Sequence, residues 1–280
     1  MKKLLFVLAL LFCAQCVQLS EITHGTHKKH HKKHAKGLKK KKLVGIVKKS
    51  FRKTTVTIPN TLDLRPMLTQ IEDQGQCGDC WSFSLTSVHR DGHKIDGRDP
   101  GRLSQEWLTD NSPESLGCNG GYFDSAQDLI NGQPLWDACP YAEGTGNCPA
   151  NLPVAAGIKS WGMMDPTPQD IEIYMTQTKK PVSITVAAGA GDWEDYTGGV
   201  YDSCVANAQV DHMIAIVGWN NEGAKFDSHG NLPPGKGQWI LRNSWGTSWG
   251  ENGWMTTKMT DLHGNKCNSV AEDVAYLVTK

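Results

Sequence analysis

The chain has 280 residues, with 29 Lys+Arg against 29 Asp+Glu, so its formal net charge is zero. That balance argues against a nucleic-acid binder, which usually carries a basic surplus, and a hydrophobic content of 39% excludes a highly charged disordered chain. The zero is uneven: residues 20–55 carry +12 and residues 56–280 carry −14, a split that marks segments with separate roles.

In chain order, Met1-Lys2-Lys3 and the nine-residue apolar run 4–12 read as a secretory signal, with cleavage expected near residues 16–20. The run is too short to span a bilayer, which takes about 20 residues, and no later stretch comes close. Residues 20–55 are Lys/His-rich and low in complexity, broken by the apolar patch Leu43-Val44-Gly45-Ile46-Val47. The folded body is expected to begin near residue 56. Trp81, Leu85 and Val88 fall on one helical face from Cys80, with closure near Gly92. Ser104 is placed to cap a short helix through Trp107 and Leu108. Residues 124–131 read as a helix stopped by Gly132, and Thr167-Pro168 opens another through Tyr174. The second half reads as strands at 182–186, 213–219, 239–241 and 274–278. A helical first part and a β-rich second part predict an α+β architecture with a site between lobes.

Three motifs carry chemistry. Gln74-Gly75-Gln76-Cys77-Gly78-Asp79-Cys80-Trp81 puts Cys80 at a helix start, where the positive helix end favours thiolate. Val210-Asp211-His212 leads into an apolar strand. Arg242-Asn243-Ser244-Trp245-Gly246 follows. A Cys nucleophile needs a His to exchange its proton, and that His needs an orienting acceptor. Cys77-x-x-Cys80 taken alone also fits a dithiol, and His212 alone also fits a packed core histidine.

With these motifs in this order, the sequence resembles the papain family of cysteine proteases. Leu103-Ser104-Gln105-Glu106, Gly117-Cys118-Asn119-Gly120-Gly121-Tyr122, Tyr196-Thr197-Gly198-Gly199-Val200-Tyr201 and the run from Asn243 to Gly253 extend the likeness over residues 58–280. The resemblance implies a two-lobe fold, with a helical left lobe, a β-barrel-like right lobe and the active site in the cleft between them. It implies Cys80 as nucleophile, His212 as its acid/base partner, Asn243 orienting the imidazole under Trp245, and Gln74 as an oxyanion donor. It also implies substrate contacts at Gly120, Gly121, Tyr122, Phe123, Thr185, Val210, Asp211, Met213 and Glu272, the last at the floor of the P2 pocket. A Glu there predicts tolerance of Arg as well as apolar P2 residues. The domain scheme is then a signal at 1–19, a pro-segment at 20–55 and a mature peptidase at 56–280, mainly helical over 56–165 and mainly β over 166–280. Cys77–Cys118 and Cys204–Cys267 are the bridges implied by the family. The usual partner of Cys148 is replaced by Asn111, so a local Cys139–Cys148 bridge is expected.

Asp79 stands where the family usually has Ser or Ala, and is expected to be an exposed turn acid. The expected function is a secreted endopeptidase zymogen acting on peptides and proteins through a thioester. It is expected to be a monomer in the secretory route, lysosomal, vacuolar or extracellular, with no metal, no cofactor, and no nucleic-acid partner for the mature enzyme. The alternative is a catalytically inactive binding homologue. The basic segment is read as an electrostatic inhibitor with residues 43–47 in or near the cleft, as a solvated linker, or as a polybasic tag.

Overall fold

The computed structural model describes residues 46–280; the signal run and most of the basic segment, including Leu43 to Gly45, lie outside them. Helix α1 (Cys80–Ile95) buries Trp81, Leu85 and Val88 as the spacing predicts. It does not close at Gly92 but continues one turn further. Gly92 serves close approach instead, since a Cβ there would sit 2.8 Å from the Thr279 methyl. Helix α2 (Gln105–Asn111) is capped by the Ser104 hydroxyl, which accepts from the Trp107 N–H. The expected helix at 124–131 is mostly a tight 3-10 turn, Phe123–Gln127, followed by the single α turn α3 (Asp128–Asn131) before Gly132. Helix α4 (Pro168–Thr178) starts on the Thr167 cap and runs past Tyr174.

The strands are β1 (Thr61–Asp63), β2 (Ile158–Met163), β3 (Val182–Val186), β4 (Val200–Tyr201), β5 (His212–Asn220), β6 (Gln238–Arg242), β7 (Trp254–Lys258) and β8 (Val274–Thr279). They form one sheet in the order β2-β8-β3-β5-β6-β7-β4, with β1 paired to β5; only the β4–β7 pairing is parallel. The architecture is α+β. Strands β1 and β2 come from the half of the chain read as helical, and they join the sheet through β5 and β8. Every residue of β3 is buried, as expected for a central strand covered on both faces.

Helix α1 is fixed to the sheet by polar ties as well as packing. The Ser84 hydroxyl lies 2.6 Å from the Ser183 hydroxyl and donates to the Ile214 carbonyl at 2.7 Å. Arg242, at the end of β6, donates to Asp91 of α1 at 2.5 Å, and both side chains are nearly without solvent contact. Asp91 also accepts from the Thr69 N–H and hydroxyl. A buried charge pair satisfied in this way registers two elements against each other. Here those elements carry Cys80 and Asn243.

Candidate active site

Antiparallel pairing brings the second and third motifs together. Ala215 on β5 faces Arg242 on β6, so the start of β5 and the residue after β6 meet at the same sheet end. There His212 Nε2 lies 2.8 Å from Asn243 Oδ1. An amide oxygen only accepts, so Nε2 donates and holds that proton. Asn243 Oδ1 also accepts from the Ser244 N–H at 2.8 Å. Trp245 stacks on the His212 ring at 4.9 Å between centroids, and Trp249 meets Trp245 edge-on at 5.1 Å. These rings exclude water from the His–Asn bond.

Cys80 is the free cysteine among the described residues and sits at the first position of α1. The backbone N–H of Met213 reaches its sulfur, which places the thiol beside the His212–Met213 peptide. Cys80 and His212 are both without solvent exposure. Burial therefore outweighs the helix end: it pushes the Cys80 thiol up to about 12, with the Asp79 and Asp211 charges adding and the Met213 and Trp81 N–H groups opposing. Burial thus opposes the thiolate that the helix start alone favours.

Gln74 is buried, and its amide is oriented from both ends. Oε1 accepts from the Ser244 hydroxyl at 2.6 Å, and Nε2 donates to the Cys77 carbonyl at 2.9 Å. A primary amide has a second N–H to offer. Ser244 is the orienting residue that sequence reading missed; its place next to Asn243 was the only available signal.

Gly121 passes close to α1, since a Cβ there would lie 2.5 Å from the Trp81 indole, and Gly120 before it has a positive φ of 113°. Val210 and Glu272 line a cavity of about 330 Å³ together with Asn207, Gln209, Lys266 and Ser269. Tyr122, Phe123, Thr185 and Met213 do not line it; they are buried beneath the surface. The Tyr122 hydroxyl donates to Asp273 Oδ2 at 2.7 Å, and the Asp273 N–H donates to the Thr185 hydroxyl. The candidate pocket is thus more polar than the residue types suggested. Asp211 accepts from the Ala188 and Gly189 N–H groups, and burial raises its carboxyl to about 6. Bridges join Cys77 to Cys118, Cys139 to Cys148, and Cys204 to Cys267.

Asp79 is not an exposed turn acid. It is without solvent contact and bonded to Thr109 and Tyr141, and burial raises its carboxyl to about 8. Its partners lie 30 and 62 residues away in the chain, so no local pattern announces its burial.

A family model described as papain family cysteine protease matches residues 58–278. Thiol protease SEN102 of Hemerocallis sp. is 33% identical over 217 residues, covering 75% of this chain and 56% of that protein. The KDEL-tailed cysteine endopeptidase CEP2 of Arabidopsis thaliana is 32% identical, covering 71% and 54%. The chain thus spans about half the length of these curated relatives. Among solved structures, a digestive procathepsin L proteinase of the Tenebrio molitor larval midgut superposes with TM-score 0.73 at 27% identity, covering 89% of this chain and 80% of that one. The bromelain protease of Ananas comosus gives TM-score 0.63 at 26% identity, covering 80% and 100%.

Proposed function

This chain belongs to the papain family of cysteine proteases, and on that premise we propose that it is an endopeptidase cleaving peptide bonds through a thioester on Cys80. The observation that carries the reading is the His212–Asn243 bond under Trp245, set beside the free thiol at the start of α1. With Nε2 committed to Asn243, Nδ1 is the nitrogen that trades a proton with Cys80. His212 takes the thiol proton as sulfur attacks the carbonyl, then gives a proton to the leaving amine. The second N–H of Gln74 and the Cys80 N–H stabilise the oxyanion. Water then hydrolyses the thioester, with His212 as base. Because Cys80 is fully buried, a scissile carbonyl reaches it only when the surrounding side chains move apart.

An electrophilic peptide followed by mass analysis tests this. We expect one adduct on Cys80, lost in Cys80→Ser and reduced at least about a hundredfold in rate in His212→Ala. A folded wild-type protein that binds the peptide without forming an adduct would establish the binding-only alternative instead.

Glu272 is read as accepting Arg at P2, supported by its place in the cavity beside Val210. The chain is read as a secretory-route zymogen, supported by its N-terminal sequence. No helix among the described residues is long and apolar enough to cross a membrane.

A further inference from the structure

Asp79 occupies the N-cap position of α1, one residue before Cys80, yet its side chain caps nothing. It turns instead towards α2 and the loop closed by Cys139 and Cys148. Thr109 donates to Oδ2 at 2.9 Å, while its hydroxyl is also 3.0 Å from the Gln105 carbonyl. The Tyr141 hydroxyl lies 3.0 Å from Oδ1 and 2.7 Å from the Gln74 carbonyl. A phenol has one proton, a carbonyl only accepts, and an ionised carboxylate only accepts. With Asp79 ionised, one of the two Tyr141 contacts therefore has no proton in it. With Asp79 neutral both are satisfied: the carboxyl donates to the Tyr141 oxygen, and Tyr141 donates to Gln74. Phe83 packs edge-on against Tyr141 at 4.8 Å and fixes the phenol.

We propose that Asp79 is a positioning residue for the reaction: as a neutral acid it passes a hydrogen bond through Tyr141 to the Gln74 carbonyl, holding the oxyanion-donor segment and keeping negative charge away from Cys80, and turnover falls when it ionises. This rests on the roles read above for Cys80 and Gln74. The same loop makes a second contact with that segment, since Gln76 N–H donates to Glu143 at 3.1 Å. The titratable groups facing Asp79 are Glu106 from α2, Tyr141 from the loop and Cys80 on its own helix. Glu106 is held in place by the N–H groups of Ala142, Gly144 and Thr145, and its charge opposes ionisation of Asp79 in the same sense as burial does. The carboxyl consequently loses its proton near pH 8 rather than near pH 4.

The test is the pH dependence of kcat and KM between pH 5 and 10 for wild type, Asp79→Asn and Tyr141→Phe, with labelling of Cys80 in each. Above about pH 8 the wild-type kcat should fall by up to about tenfold per pH unit as Asp79 loses its proton, a limb that should be absent from Asp79→Asn. Tyr141→Phe should lower kcat about tenfold with KM little changed. A wild-type kcat that does not fall between pH 8 and 10 overturns the proposal without any variant. So do superimposable limbs in wild type and a folded Asp79→Asn. Absence of Cys80 labelling in the wild type would instead remove the reading beneath it.

Discussion

A carboxylate and a lysine on the same cavity make opposite demands on a substrate side chain. Glu272 is exposed and attracts a guanidinium. Lys266, on the same wall, donates to the Pro166 carbonyl at 3.0 Å and to the Ala271 carbonyl. Burial lowers its pKa to about 8, so it remains charged at acidic pH and offsets part of the Glu272 field. Arg at P2 is therefore expected to be accepted but not preferred over Phe. With Phe-Arg and Arg-Arg reporter peptides, Glu272→Ala should cost about tenfold in kcat/KM on Arg-Arg and little on Phe-Arg, the worth of one charge-assisted hydrogen bond. Equal losses on both reporters would place Glu272 outside the pocket. At this scale the groups proposed to react were legible as candidates because thiol, imidazole and amide are demanded by the chemistry and occur in a fixed order. The cavity wall was not. Lys266 reaches it through a turn before β8, and the burial of Tyr122 and Thr185 depends on Asp273, which no spacing ties to them.

Elements supported by periodicity or a cap were readable, including α1, α2, α4, β3 and β5. Elements that owe their existence to a partner were not. Strand β1 is three residues long and exists by pairing with β5, and β2 exists by pairing with β8 across more than a hundred residues of chain. The 139–148 loop belongs to the same class. Asn111, standing where a cysteine partner of Cys148 would be expected, still donates to the Cys148 carbonyl at 3.2 Å. The bridge itself has moved to Cys139, nine residues away in sequence. This staple closes the loop that presents Tyr141 to Gln74 and Glu143 to Gln76. Replacing both Cys139 and Cys148 by Ser should cost up to about 3 kcal/mol of stability by loop-closure entropy, read from the denaturant midpoint. It should also lower kcat more than it raises KM, because the segment proposed to supply the oxyanion donor loses its backing. A double variant that loses stability with unchanged kcat would show that the loop is a strut and nothing more.

Across the whole molecule, the division of charge at residue 55 is not a division of contacts. Lys49 exchanges backbone bonds with Met163 and Asp165. Phe51 is buried against Tyr174 and Tyr276, with ring centroids 5.5 and 5.7 Å away. Asp170, itself buried, accepts from the Ser50 hydroxyl and from the Phe51 and Arg52 N–H groups, and pairs with the Arg52 guanidinium at 2.9 Å. Lys48 pairs with Asp273 at 3.1 Å. Of the apolar patch read as a cleft occupant, Val47 is 86% exposed. Cleavage at residue 55 would uncover two tyrosines and strand a buried carboxylate, whereas cleavage at Lys48-Lys49 removes the low-complexity run and leaves Phe51 and Arg52 in place. Processing is therefore expected at the dibasic pair, with the first residue of the processed enzyme at or before Ser50 by N-terminal sequencing. Phe51→Ala combined with Arg52→Ala should remove about 2–4 kcal/mol, a drop of roughly 5–10 °C in Tm. Added salt should erase little of the Arg52 contribution, since its partner is buried and weakly screened. A processed enzyme that begins at residue 56 or later with an unchanged Tm would show that these contacts serve only the precursor. On the expected outcome, the acidic body keeps a short basic strap as part of its fold, and it is the Lys/His-rich run before that strap whose charge is lost on maturation.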